Sequence, residues 1–319
     1  MTKKTLLLAA FLGFAASPVL AQPFEFVALG DMPYNLPGDY PKYERLIDTI
    51  NTLKLPFSIH VGDIKSGSTP CNEEVMTKAS GYFARFAGAV VYTPGDNEWT
   101  DCHRAAAGRF DPLERLAWVR AKHFTESKSL GQATIPLVRQ PDVSDFKTTV
   151  ENARWVHNNV LFATIHVVGS NNNFEIRPGA PEEFMARDKA NVAWIEAAFA
   201  EAERLNAPAM VFGMQADMWA NDVPKDPNQS GFTATIRALT QGSAKFGKPV
   251  LLVDGDTHLF QIDQPLVDSK KVPLMNVTRL MVPGAERVHA VRVTVDPASP
   301  QVFGYSLIYL PENQAKPQM

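Results

Sequence analysis

The sequence predicts an α/β protein built on two packed mixed β-sheets flanked by helices. Three observations carry that expectation. Strand-like and helix-like segments alternate through the first half of the chain, the part from His258 onward reads mostly as short strands, and four apolar runs end in the dipeptide Gly-Asp.

The elements follow in order. Residues 24–29 form an apolar run bounded by Gly30, which reads as a buried strand. Residues 43–53 place Leu46, Ile47, Ile50 and Leu53 at helical spacing. A second strand is expected at 57–61. A helix capped by Asn72, with Glu73 and Glu74 in its first turn, should reach about Phe86. A third strand is expected at 89–93, and Asp111-Pro112 opens a helix through about Phe124. Residues 125–151 are polar and irregular, with no composition shift to mark a second domain. Residues 154–157 and 160–168 flank Asn158-Asn159 as a hairpin. A long helix (about 181–205), a strand (209–213), a helix (about 233–246) and a strand (250–253) follow. Strands are then expected at 258–262, 274–282, 287–295 and 302–309.

The Gly-Asp runs are VALGD (Asp31), IHVGD (Asp63), YTPGD (Asp96) and LVDGD (Asp256). One such dipeptide marks only a turn, because Asp tolerates left-handed geometry. Four at strand ends place carboxylates in the crevice where open α/β sheets bind ligands, glycine allowing the chain to turn sharply out of each strand. Carboxylates gathered there repel one another unless a cation is present, so a metal site is the economical reading.

Composition agrees with a globular protein: 319 residues, 45% hydrophobic, 20% charged, formal net charge −3. That balance, with no basic run, gives nucleic-acid binding no support. Lys3 and Lys4, the apolar stretch 6–16 and Val-Leu-Ala at 19–21 have the layout of a signal peptide, leaving 22–319 as one domain. No later stretch approaches the about 18 apolar residues of a membrane span. The expected location is periplasmic or secreted. Cys71 and Cys102 are the only cysteines, and in an oxidising compartment two thiols favour one disulfide.

Five stretches now line up: Asp31-Met32-Pro33, Gly62-Asp63-Ile64-Lys65-Ser66, Gly95-Asp96-Asn97-Glu98, Gln215 in VFGMQADMW, and Gly255-Asp256-Thr257-His258. In order and spacing the chain resembles the calcineurin-like metallophosphoesterases, whose pattern runs Asp-x-His, Gly-Asp-x-x-Asp, Gly-Asn-His-Glu/Asp, an isolated His, then Gly-His-x-His. The resemblance implies a four-layer αββα sandwich and two metal ions bridged by Asp63. One ion would be held by Asp31, Asp63 and His258, with Pro33 standing where the family has a histidine. The other would be held by Asp63, Asp96, Gln215 and Asp256. A set dominated by oxygen suits Mg²⁺, Mn²⁺ or Ca²⁺ better than Zn²⁺, as one or two ions.

The family's general-acid histidine falls at Asn97, which has no proton to give as an acid; His103 nearby is the expected substitute. His60 and His166 lie within strands and read as structural. Lys65 and the amides of GSNNNF (Asn171, Asn172) are the candidates for binding an anionic substrate; either stretch reads equally as a turn-rich surface loop, the better reading for GSNNNF. Two functions stay open. One is an exported metal-dependent phosphoesterase acting on a small phosphate ester or anhydride. The other is a non-catalytic metal- or ligand-binding protein on the same scaffold.

Overall fold

The computed structural model describes residues 22–314; the signal-peptide segment expected at 1–21 lies outside them. Two mixed sheets stack face to face with helices on both outer faces. The first sheet contains β1 (Phe24–Leu29), β2 (Phe57–His60), β3 (Ala89–Tyr92), β4 (Leu130–Gly131), β12 (Ala290–Val295) and β13 (Phe303–Ile308), in the order β13-β12-β1-β2-β3-β4. The second contains β5 (Val138–Arg139), β6 (Ala153–His157), β7 (Val160–Thr164), β8 (Met210–Gly213), β9 (Val250–Asp254), β10 (Gln261–Asp263) and β11 (Val277–Met281), in the order β10-β11-β9-β8-β7-β6-β5.

β1, β2 and β3 are parallel, as are β7, β8, β9 and β11. Their near-continuous apolar sequences reflect burial on both faces. Phe26, Phe57, Ile59 and Val91 of the first sheet pack against Phe162, Val211, Leu251 and Val253 of the second. The outer face of the first sheet is covered by helices Tyr40–Leu53, Glu73–Gly81 and Pro112–His123. Helices Ala180–Arg204 and Thr233–Phe246 cover the second.

Most expected elements occur, with informative shifts. The first helix starts three residues early, at Tyr40, with Pro41 in its first turn. The second stops at Gly81 and continues as a 3₁₀ turn, Tyr82–Arg85. β10 begins at Gln261, because residues after Gly255 first form the loop that presents Asp256 and His258, both left-handed (φ 71° and 64°). Segment 125–151 is the crossing between sheets: β4 pairs with β3 and β5 with β6. Two-residue strands carry too little periodicity to be legible in sequence. Asn158 and Asn159 are both left-handed (φ 45° and 64°), as a tight hairpin turn between twisted strands requires.

Cys71 and Cys102 are joined, 31 positions apart. The bond ties the loop after β2 to the turn after β3, and the Asn97 carbonyl lies 3.7 Å from each sulfur. Reduction is expected to lower unfolding stability by roughly 3–4 kcal/mol. Denaturant melts with and without reductant check this; coincident midpoints would contradict it.

Candidate metal centre

The carboxyl ends of β1, β2 and β3 meet those of β7, β8 and β9 along one edge of the two sheets. A cleft of about 460 Å³ opens there, lined in part by Tyr34, Asp63, Asp96, Asn97, Asp256 and His258. The expectation that glycine makes each turn needs correction. Only Gly62 is left-handed (φ 102°), whereas Asp31 and Asp63 themselves take φ 55°. The other glycines supply space: a Cβ on Gly95 would lie 1.9 Å from Asp63 Oδ1, and one on Gly255 2.1 Å from Asp31 Oδ2. Non-glycine residues held left-handed at adjoining strand ends are a feature of functional sites.

Asp31 is fully buried; its Oδ1 accepts from the Asp256 amide (3.0 Å) and its Oδ2 has no donor. Asp96 Oδ2 accepts from the Ser170 hydroxyl (2.7 Å), and its Oδ1 has no donor. Asp256 Oδ2 accepts from the Asp217 amide (3.2 Å). Ligand atoms of Asp31, Asp63 and His258 lie within 4.8 Å of one another. Burial, and then the neighbouring Asp256, holds Asp31 well above the usual carboxylate range. Burial followed by Asp96 does the same for Asp63, and burial followed by Asp101 for Asp96. Asp256 is pushed up to about 7, chiefly by burial. His258, 30% exposed, is shifted down by burial and by Arg287, which favours the neutral imidazole that coordinates cations. Buried oxygens without donors, in a set of mutually repelling carboxylates, are the chemistry a hard cation satisfies.

Asp63 differs from the rest. Its Oδ2 accepts from Tyr34 Oη (2.8 Å), Asn97 Nδ2 (2.6 Å) and Gln215 Nε2 (3.3 Å), and its Oδ1 from the Asn97 amide (3.1 Å). Gln215 therefore enters the cleft as a donor. Its Oε1 is taken by the Gly169 amide (2.6 Å), which turns the NH₂ toward Asp63, so its oxygen is not presented to a metal. Asn97 likewise directs its NH₂ at Asp63 and Tyr34.

Three further expectations meet a different geometry. His103 does not line the cleft, and its Nδ1 bonds the Thr100 carbonyl (2.6 Å). Lys65 is fully buried and does not line the cleft either. Its ammonium donates to the Ser66 carbonyl (3.2 Å) and serves as an internal counter-charge nearest in effect to Glu98. Asn171 does line the cleft, with its side-chain NH₂ bonded to the carbonyls of Phe174 and Gln229, whereas Asn172 is buried and bonds Gly231, Val168 and Arg187. His60 bonds Tyr43 and the Gly62 amide in the interior.

Several residues in or beneath the cleft have roles that the sequence motifs did not assign. Glu98 accepts from the amides of Ile64 and Gly95 and from Tyr92, locking together the loops after β2 and β3. Tyr34 contacts Asp63, Asn97 and His258 at once; its position three residues after Asp31 was the available hint. Ser170 to Asn173 are four successive left-handed residues (φ 50–61°). That run explains three adjacent asparagines, which tolerate this region best after glycine. It aims the Ser170 hydroxyl at both Asp96 Oδ2 and Asp101 Oδ1, each 2.7 Å away. The Arg104 guanidinium lies against the same pair, pairing with Asp101 Oδ2 (2.5 Å) and donating to the Ser170 hydroxyl (3.0 Å). Arg279 bonds Asp217 (2.6 Å) and Asp263, and so steadies the amide that supports Asp256.

No family model matches the chain, and no curated protein matches it in sequence. Solved structures do. It is similar to GAP50, described as the anchor in the inner membrane complex of Plasmodium, at 8% identity and a TM-score of 0.49, covering 92% of this chain and 91% of that one. The protein TT1561 of Thermus thermophilus matches at 12% identity and a TM-score of 0.44, over 90% of this chain and 100% of that one. The purple acid phosphatase PPD1 from yellow lupin (Lupinus luteus) seeds matches at 11% identity and a TM-score of 0.48, over 94% of this chain and 57% of the lupin chain. The likeness is one of chain layout.

Proposed function

We propose that the cleft holds a divalent cation and that the protein is a metal-dependent phosphoesterase-type hydrolase, exported from the cell. The observation that carries this reading is the convergence of Asp31, Asp63, Asp96 and Asp256 from both sheets, with Asp31 Oδ2 and Asp96 Oδ1 buried and without donors. Asp31, Asp63 and His258 would hold the cation, with Asp96 and Asp256 beside them. Carboxylate oxygens with one imidazole suit Mg²⁺, Mn²⁺ or Ca²⁺. Such an ion neutralises phosphate charge and makes bound water more acidic. Export is supported by the basic-then-apolar start of the sequence and by the Cys71–Cys102 bond; among the described residues no helix is long and apolar enough to cross a membrane.

The chain's own groups narrow the chemistry. Asn97 has no acidic proton, and His103 bonds a carbonyl away from the cleft. General-acid help is worth roughly 10²–10⁴-fold, and its loss falls hardest on alkyl esters. The substrates that fit are aryl esters and anhydrides, whose leaving groups are stable anions. Protein purified without chelator or histidine tag is expected to carry at least one divalent ion by elemental analysis. With Mn²⁺ it should hydrolyse aryl phosphates or pyrophosphate at least about 100-fold faster than alkyl phosphates.

The second reading, a cation-binding protein without turnover, is favoured by one feature: Asp63 Oδ2 already accepts three protein donors. Bound cation with no hydrolysis of esters or anhydrides would select it. Absence of any bound cation would sink both.

A further inference from the structure

A second groove, of about 740 Å³, opens beside the carboxylate cleft and shares Tyr34 and Ser68 with it. Tyr34 is the partition: its hydroxyl bonds Asp63 and Asn97 inside the cleft, while its side chain also lines the groove. The other walls combine apolar Leu36, Pro37, Tyr40, Pro70 and Val75 with polar Asn35, Ser66 and Thr69 and the carboxylate of Glu286. The Lys78 ammonium sits 3.7 Å from the centre of the Tyr40 ring and fixes that ring in place. Elsewhere the cleft is bordered by Asp101, Asp217 and Asp222 together with Arg104, Val223 and Phe232, and a neighbouring opening beyond His258 by Glu286, Arg287 and His289. Glu286 lines both openings, and among the described residues it is the one charged side chain of the Tyr34 groove, whereas the other opening adds Arg287 and two histidines.

We infer that this groove receives the leaving group of the substrate, and that this group is a flat aromatic. The inference rests on the phosphoesterase reading above and adds a substrate class to it. Two independent features agree. Water adds to phosphorus, the P–O bond breaks, and the leaving oxygen keeps the electron pair; with Asn97 in place of an acid, that oxygen must be stable as an anion, as an aryl oxide is. The groove's tyrosine and proline surfaces offer flat apolar contact to such a ring, next to the position where the phosphate would meet the cation.

The test is a calorimetric comparison of phenylphosphonate and methylphosphonate binding to the mature protein in saturating Mn²⁺. Phenylphosphonate is expected to bind at least about tenfold more tightly. Tyr40→Ala and Leu36→Ser should each reduce that preference to about twofold or less, with methylphosphonate affinity unchanged as the check on folding. Equal affinity of wild type for the two phosphonates would overturn the inference, as would a full preference surviving in both folded variants. Mn²⁺ bound with neither phosphonate bound would overturn the phosphate reading and the inference with it. Failure to bind Mn²⁺ would remove the metal centre itself.

Discussion

The Asp31→Asn protein is expected to lose divalent-cation binding and yet to melt at a higher temperature than wild type when both are cation-free. Asp31 Oδ1 accepts the Asp256 amide, a bond that asparagine keeps, while Oδ2 is buried with no donor among other carboxylates. Removing an uncompensated buried charge without removing its supporting contact should stabilise the cation-free fold by roughly 1–3 kcal/mol. For a chain of this size each kcal/mol is worth roughly 1.5–2 °C. Asp63→Ala should also lose the cation but move the other way, because it strands Tyr34 Oη, Asn97 Nδ2 and Gln215 Nε2 without their common acceptor. Thermal melts in chelator, paired with Mn²⁺ and Ca²⁺ titrations, distinguish the cases. Equal destabilisation by both variants would show that Asp31 is not electrostatically frustrated. Wild-type cation affinity in Asp31→Asn would remove it from the site.

That opposite response was not visible in the sequence, and the reason is physical. A Gly-Asp at the end of an apolar run tells where a carboxylate lies in an α/β sheet, because strand ends define the crevice. All four did reach the same edge. What surrounds each carboxylate depends on contacts between distant segments: Asp63 is saturated by residues 34, 97 and 215, while Asp31 is left with an unpaired oxygen. Periodicity does not report such contacts. The polar candidates fared worse for a related reason. Lys65 and Asn172 are residue types usually found outside, and the fold buries both, one as a counter-charge and one as a bond partner of Arg187. The long elements and the cysteine pair were legible because they depend on local periodicity or on simple counting. β4 and β5, two residues each, were not, since they exist through pairing with β3 and β6.

The largest pH effect expected is on the stabilisation that a cation confers. Burial holds Asp256 at about 7, against an ordinary 3.8, and also raises Asp31, Asp63 and Asp96. Between the ordinary and the raised values the folded state holds protons that the unfolded chain has released, so cation-free stability falls as pH rises through that window. For Asp256 alone the full loss is on the order of 4 kcal/mol near neutral pH. A second set of groups acts in the opposite direction. His60 and His123 are buried, and burial lowers each to about 3. The unfolded chain therefore takes up protons first as pH drops below about 6.5, and stability falls toward acid. A melting curve of the cation-free protein alone would mix the two trends. The difference between cation-loaded and cation-free melts separates them, because the histidine contribution is common to both states and cancels. That difference should be near zero at pH 4, where the carboxylates keep their protons and a cation must displace them, and should grow to several kcal/mol by pH 7.5. A cation effect that stays constant from pH 4 to pH 7.5 would mean that the ion binds elsewhere on the chain, away from the buried aspartates.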